Sequence, residues 1–206
     1  MGNLEQQKTP KPGKLGLAVL ISGRGSNLQS IIDACRIDNF PAQINLVLSN
    51  TPDAYGLVRA KENDISTRIV SHKDFETKAD FETEILSILD EFNIDLVCLA
   101  GFMRILSPTL ITPWEGRIIN IHPSLLPKYK GLHTHQRAIE AGDTESGCTI
   151  HYVTPGVDEG EIILQKSVPI IDGDTADSLA ARVLTQEHIA YPEAIRIIAQ
   201  KHHSLS

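Results

Sequence analysis

No apolar run in this chain approaches the roughly 20 residues needed to span a bilayer. Residues 2–14 likewise contain no apolar signal core. Those absences predict a soluble protein. Cysteine is sparse: Cys35, Cys98 and Cys148 are the only three, they lie far apart, and no C-x-x-C occurs. An odd count without metal-ligand spacing argues against a disulfide framework and for reduced core thiols in a cytoplasmic protein. There is no basic surplus either. The formal net charge of −7 argues against a mainly electrostatic nucleic-acid binder, although a local basic pocket is compatible with it. Repeats, low-complexity tracts and interdomain linkers are also missing.

What remains is an ordinary globular composition, 41% apolar and 22% charged over 206 residues, enough for one domain with a substantial core. Residues 1–14, polar and bearing Pro10, Pro12 and Gly13, read as a flexible leader. The domain is expected over 15–200, with a polar tail over 201–206. Short apolar runs predict strands at Leu15–Ile21, Ile44–Leu48, Thr67–Val70, Ile94–Leu99 and Arg117–Ile121. Helical stripes fall between them: Leu28, Ile31, Ile32 and Cys35, then Ala54, Leu57 and Val58, then Phe81, Ile85, Ile88, Leu89 and Phe92. A brief helix is expected near Pro108–Thr112. Strands alternating with helices imply an α/β, Rossmann-like, mostly parallel sheet with helices on both faces. Cys148–Val153 and Ile162–Val168 have no clear helix between them, so they are expected to add an antiparallel or mixed edge. A helix from about Thr175 closes the domain, with Pro192 interrupting it or starting its last segment.

Three stretches carry chemistry. Asn120 and His122 sit two residues apart where a strand gives way to Pro123. Side chains at i and i+2 on an extended chain share a face. An amide that can donate to an oxyanion beside an imidazole that can donate a proton suits acyl transfer. The second stretch is the turn Gly23-Arg24-Gly25-Ser26-Asn27, between a buried strand and a helix. There the backbone can approach a ligand, the first helical amides favour an anion, and Ser26 can cap the helix or donate to a phosphate. Leu28 stands where a dinucleotide fingerprint needs its third glycine, Ser49-Asn50 replaces an acidic ribose ligand, and no Walker G-K-[ST] follows. A single phosphate therefore fits better than a pyrophosphate. The third is Met103-Arg104-Ile105-Leu106, after a strand, an apolar wall suited to a flat heterocycle. His133 and His135 form an H-x-H pair, but no third ligand is evident, so no catalytic metal is expected.

Asn120-Ile121-His122-Pro123-Ser124-Leu125-Leu126-Pro127 resembles the signature of enzymes that take formyl from 10-formyltetrahydrofolate. Ser22–Gln29, Leu99–Ser107, Gly131–His135, Val157-Asp158 and Thr185–His188 narrow the match. Together they resemble the phosphoribosylglycinamide formyltransferases, folate-dependent enzymes of purine synthesis, from about Leu15 to Ala199. The resemblance implies that Gly25, Ser26 and Asn27 hold the phosphate of glycinamide ribonucleotide, and that Glu187, within Leu184-Thr185-Gln186-Glu187, holds its ribose hydroxyls. It implies that Met103–Leu106 and the segment Thr154, Pro155, Gly156, Val157 and Asp158 embrace the pteridine. Lys78 stands where the family often places a cation near the glutamate tail. Asn120, His122 and Asp158 become the catalytic set, with His133 supporting the active-site loop. The implied partners are a ribonucleotide and a reduced folate, in a monomer or homodimer.

Three alternatives remain. A formyltransferase domain for initiator methionyl-tRNA shares Asn-x-His and the aspartate, but usually carries an added RNA-binding domain. A folate-dependent hydrolase would pass formyl to water. A silent folate- or nucleotide-binding module would not require the complete Asn120, His122 and Asp158 set.

Overall fold

The strand β1 (Leu15–Ile21) is buried at every position. Its side chains alternate, with Leu15, Leu17, Val19 and Ile21 entering one core and Ala18 and Leu20 the other. A strand apolar throughout needs cover on both faces, so it takes the middle of a sheet. The computed structural model describes residues 13–205, with side chains to His202. Most of the expected leader over 1–14 lies outside the described residues.

Six further strands complete the sheet: β2 (Ala42–Ser49), β3 (Thr67–Ile69), β4 (Leu96–Leu99), β5 (Ile118–His122), β6 (Glu145–Tyr152) and β7 (Ile162–Pro169). Their order is β3-β2-β1-β4-β5-β6-β7. Pairing is parallel from β3 to β5 and antiparallel for β5–β6 and β6–β7, which is the mixed edge expected of the C-terminal strands. The helices are α1 (Ser26–Cys35), α2 (Tyr55–Glu62), α3 (Lys78–Glu91), α4 (Pro108–Ile111), α5 (Thr134–Glu140) and α6 (Ala176–Leu205). Apolar residues of α1, α2 and α6 fill one core, and those of α3 and α4 the other. The strand order reverses between β1 and β4, and a crevice at the carboxyl ends of such strands is where open α/β sheets bind ligands.

Three features depart from the sequence reading. α5 had no sequence signal because it is short and buries only Thr134 and Ala138, too few for a helical stripe. α6 is not interrupted at Pro192 but runs through it, and continues over the stretch read as a polar tail. Leu179, Val183, Ala190, Tyr191, Ala194, Ile195 and Ala199 recur at helical spacing and are buried. Their packing outweighs the one hydrogen bond that a proline denies. β5 extends one residue past its expected end, so His122 is itself a strand residue.

All three cysteines are free, Cys98 and Cys148 buried and Cys35 partly so. Burial pushes Cys35 and Cys148 up to about 12, and Cys98 upward as well, which keeps all three as unreactive thiols. Among the described residues, no helix is long and apolar enough to cross a membrane.

Tyr191 ties α6 to the sheet. It is fully buried, and its hydroxyl donates to the Leu99 carbonyl at 2.8 Å, at the end of β4. Tyr191→Phe removes that donor and leaves a buried carbonyl short of a partner, which costs about 1–3 kcal/mol. Urea denaturation should show a lower midpoint with an unchanged slope.

Candidate active site

Register explains why Asn120 and His122 meet their neighbours. In the antiparallel β5–β6 ladder, Asn120 lies opposite His151 and His122 opposite Thr149. Directly opposed residues share a face of the sheet. The Asn120 side-chain amide accordingly lies 3.3 Å from His151 Nε2. His151 Nδ1 lies 2.9 Å from the Tyr152 carbonyl and donates to it, so in the neutral ring Nε2 accepts from Asn120. Thr149 is buried and braces the loop after β5, donating to the Ser124 carbonyl and accepting from the Leu126 N–H.

Asp158 arrives from the connection between β6 and β7. It adopts a left-handed backbone conformation, φ 52°, which aspartate tolerates better than most residues. Its Oδ2 lies 3.2 Å from His122 Nδ1 and accepts from the Gly131 N–H at 2.9 Å, while Oδ1 lies 3.6 Å from His151 Nε2. Burial favours the neutral carboxyl. The His151 ring, the Gly131 N–H and the charge of the two imidazoles outweigh it, holding Asp158 below the usual carboxylate range. The other His122 nitrogen, Nε2, lies 2.9 Å from the Tyr129 carbonyl. Both ring nitrogens thus face oxygen acceptors, the Asp158 carboxylate on one side and the Tyr129 carbonyl on the other.

A cleft of about 420 Å³ opens over this cluster. Asn120, His122, His151 and Asp158 line it, with Met103–Leu106 on one side and Val153–Asp158 and Leu132 on the other. Met103, Ile105 and Leu132 are strongly exposed, so the cleft presents an apolar rim above a polar floor. That is the chemistry a flat heterocycle with hydrogen-bonding edges requires.

A smaller cavity of about 210 Å³ adjoins it, lined by Ser22–Asn27, Ala100, Gly101 and Met103. Met103 borders both. Gly25, not Ser26, caps α1, with φ 68°, and no side chain caps the helix. Ser26 opens the first turn. The glycine at 25 has a steric reason beyond its φ: a Cβ there would lie 2.7 Å from the Gly56 Cα, because the start of α2 packs on the turn. Asn27 reaches α6, its side-chain amide donating to Glu187 at 2.7 Å. The Asn27 Oδ1 is buried with no hydrogen-bond partner. Burial raises the Glu187 carboxyl above its ordinary value, against the Asn27 hydrogen bond.

Several expected residues stand apart. Leu184, Thr185, Gln186 and Glu187 share α6 and line neither cavity, and Glu187 meets the glycine turn only through Asn27. Lys78 opens α3 and pairs with the buried Glu82 at 3.9 Å, also outside both linings. Its i, i+4 spacing in the helix explains that contact. His133 is the residue from which α5 starts, in a left-handed conformation, and its ring is not part of the cleft wall. Among the described residues, no group of three or more His, Cys, Asp or Glu is placed to hold a metal. His151 and Thr149 had no signal in the sequence, and Ser22 and Gly131 had no role of their own within the motifs that contain them. His151 sits at an alternating position of a recognised strand, but only the β5–β6 register brings it to Asn120.

A family model described as formyl transferase matches residues 15–195. Over 181 residues the chain is 48% identical to phosphoribosylglycinamide formyltransferase of Escherichia coli, covering 88% of this chain and 85% of that protein. It is 46% identical to the trifunctional purine biosynthetic protein adenosine-3 of Homo sapiens over 96% of this chain, and spans about a fifth (20%) of that longer protein. Among solved structures, phosphoribosylglycinamide formyltransferase from Brucella melitensis superimposes with a TM-score of 0.88 at 49% identity, covering 90% of this chain and 96% of that one. Glycinamide ribonucleotide transformylase 1 from Symbiobacterium toebii gives 0.90 at 41% identity, covering 95% and 93%. With its sheet, cleft and matched span in agreement, the chain belongs to the formyl transferase family.

Proposed function

We propose that this protein transfers the formyl group of 10-formyltetrahydrofolate to the primary amine of glycinamide ribonucleotide, in purine synthesis. The observation that carries the reading is the adjacency of two unlike cavities sharing Met103: a phosphate-type helix turn and an apolar cleft floored by Asn120, His122 and Asp158. The relatives' names and high identity support the same substrates. The residues present fit a folate: apolar walls flank the flat ring, and loop backbone groups can meet its edges.

In this reading Ser26, Asn27 and the first α1 amides hold the phosphate at the positive end of the helix. Glu187, braced by Asn27, accepts from the ribose hydroxyls. The amine then approaches the formyl carbon from the smaller cavity and forms a tetrahedral intermediate by direct transfer. Asn120 donates to the developing oxyanion. His122, paired with Asp158, stabilises that charge and delivers the proton that the departing folate nitrogen needs. Asp158 stays ionised beside the imidazole, which keeps the pair ready to accept and return a proton through water.

Steady-state assay with both substrates tests the catalytic set. Asn120→Ala should lower kcat roughly 10²–10³-fold, the range for loss of one oxyanion donor. His122→Ala should lose more, since it removes both charge stabilisation and proton delivery. The double variant His122→Ala/Asp158→Asn should be only slightly worse than His122→Ala alone. Wild-type turnover in both single variants, Asn120→Ala and His122→Ala, would overturn the assignment, and formyl loss to water without transfer would favour a hydrolase.

Ser26→Asp tests the phosphate site. Glycine at 25 is a poor target because a larger residue there strikes the backbone of α2. A carboxylate at position 26 repels a phosphate while being compatible with a helix N-terminus. The KM for glycinamide ribonucleotide should rise with little change in folate KM. Equal weakening of both substrates would count against a dedicated phosphate turn.

Asp158 also leaves a stability signature. Its folded-state pKa is depressed, so its contribution is complete above the ordinary carboxylate value and is lost as pH falls through the lower folded value. The stability gap between wild type and Asp158→Asn should therefore be constant near neutrality and close only in acid. Chemical denaturation at a series of pH values measures it.

A further inference from the structure

The loop between β5 and α5 holds a second layer of organisation behind the His122–Asp158 pair. Tyr129 has a left-handed backbone, φ 56°, uncommon for an aromatic residue and sustained only where the surroundings fix it. Its carbonyl takes the His122 Nε2 contact at 2.9 Å, and two residues on, the Gly131 N–H meets Asp158 at 2.9 Å. The histidine and the aspartate therefore each grip a backbone group of one short segment. Whatever fixes that segment fixes the distance between them.

Asp143, in the turn between α5 and β6, fixes it from outside the cleft. The Tyr129 hydroxyl donates to Asp143 Oδ2 at 2.8 Å, and the Lys128 ammonium donates to both carboxylate oxygens at 3.0 Å. The hydrogen bonds from Lys128 and then Tyr129 hold Asp143 below the usual carboxylate range, so it remains an acceptor throughout the neutral range. The Arg137 guanidinium lies over the Tyr129 ring, 5.2 Å from its centre, and donates to the Lys130 and Leu132 carbonyls at 2.7 and 3.2 Å. Of these contacts, the phenol–carboxylate bond bears on the residue whose carbonyl holds His122. Lys128 is 62% exposed, and an ion pair so open to water contributes little.

We infer that Asp143 is a positioning residue for the transfer reaction, setting the His122 ring through the Tyr129 hydroxyl and carbonyl. The inference rests on the proposed role of His122. Asp143 lines neither cavity, so its loss should act on turnover and not on substrate affinity. A displaced imidazole costs rate because transfer geometry is steep in distance.

The test compares Asp143→Ala, Tyr129→Phe, their double variant, Asp143→Asn, Lys128→Ala and His122→Ala in the full chain. Asp143→Ala and Tyr129→Phe should each lower kcat on the order of tenfold, with both KM values within about twofold of wild type. The double variant should be no worse than the more impaired single one, because both break the same link. Asp143→Asn keeps an oxygen that accepts from the phenol and should recover most of the rate. Lys128→Ala should stay close to wild type. In ¹⁵N-histidine-labelled protein, the His122 ring signals should move in Asp143→Ala and Tyr129→Phe and return in Asp143→Asn. Wild-type turnover and unmoved ring signals in Asp143→Ala and Tyr129→Phe, with His122→Ala inactive, would overturn this inference alone. A rate loss matched by the unfolded fraction in circular dichroism would also overturn it. Wild-type turnover in His122→Ala would instead remove the role of His122 on which the inference stands.

Discussion

The reversal of strand direction at β6 is the constraint on which the catalytic cluster depends. A sheet that stayed parallel past β5 would need another crossover helix, and the chain would return to the amino end of the strands. Here β6 runs antiparallel to β5, so it enters beside the carboxyl end of β5, with Thr149 opposite His122, and its last residue, Tyr152, pairs with Ile119 near the start of β5. The connection between β6 and β7 then brings Asp158 to within 3.2 Å of His122 Nδ1. The same ladder sets His151 against Asn120. A slip of one residue in that register would turn His151 to the opposite face and take Thr149 away from the loop that it braces.

The second determinant is the reversal of strand order between β1 and β4. The loops that follow these two strands diverge, leaving a crevice floored by their carboxyl ends. Ser22 spans it. Its hydroxyl donates to Asn50 at the end of β2 and accepts from the Met103 N–H at 2.8 Å. One side chain thus connects the glycine turn, the neighbouring strand and the wall of the larger cleft. Two cavities of different character are held at fixed separation by a rigid scaffold, which bisubstrate chemistry requires if the reacting atoms are to meet without large motion.

Much of this was legible in the sequence because its signals are local. Buried strands and helical stripes come from runs of apolar residues, and the glycine turn before α1 from its small residues after a strand. Asn120 and His122 could be paired because i and i+2 on a strand must share a face. Asp158 was placed by family resemblance, since nothing in its spacing links it to His122. The misses have the same physical origin. His151 depends on a register between strands separated by α5, and α5 itself has too little buried surface to produce a period. Pro192 illustrates the reverse case, a strong local signal overridden by the packing of a long helix on the sheet.

Asp158, in the cleft wall, and Glu187, joined to the glycine turn through Asn27, show how environment drives two carboxylates apart. Asp158 is partly desolvated, yet a backbone N–H and two imidazoles hold it ionised. Glu187 is more deeply buried and has a single amide donor, from Asn27, so burial prevails and its carboxyl is shifted toward the neutral form. Groups of one type driven in opposite directions suit opposite tasks. In the proposed mechanism a fixed negative charge next to His122 would support proton delivery, and it would have to be present before substrate arrives. A carboxyl short of donors is instead completed by a ligand that brings them. In the proposed reading, the two hydroxyls of a ribose would satisfy Glu187 and favour its ionised form, so that part of the energy of seating the sugar would come from relieving an under-solvated acid. On that reading specificity has the same origin: a ligand without those hydroxyls would leave the buried carboxyl short of donors, a penalty larger than the mere absence of an attraction.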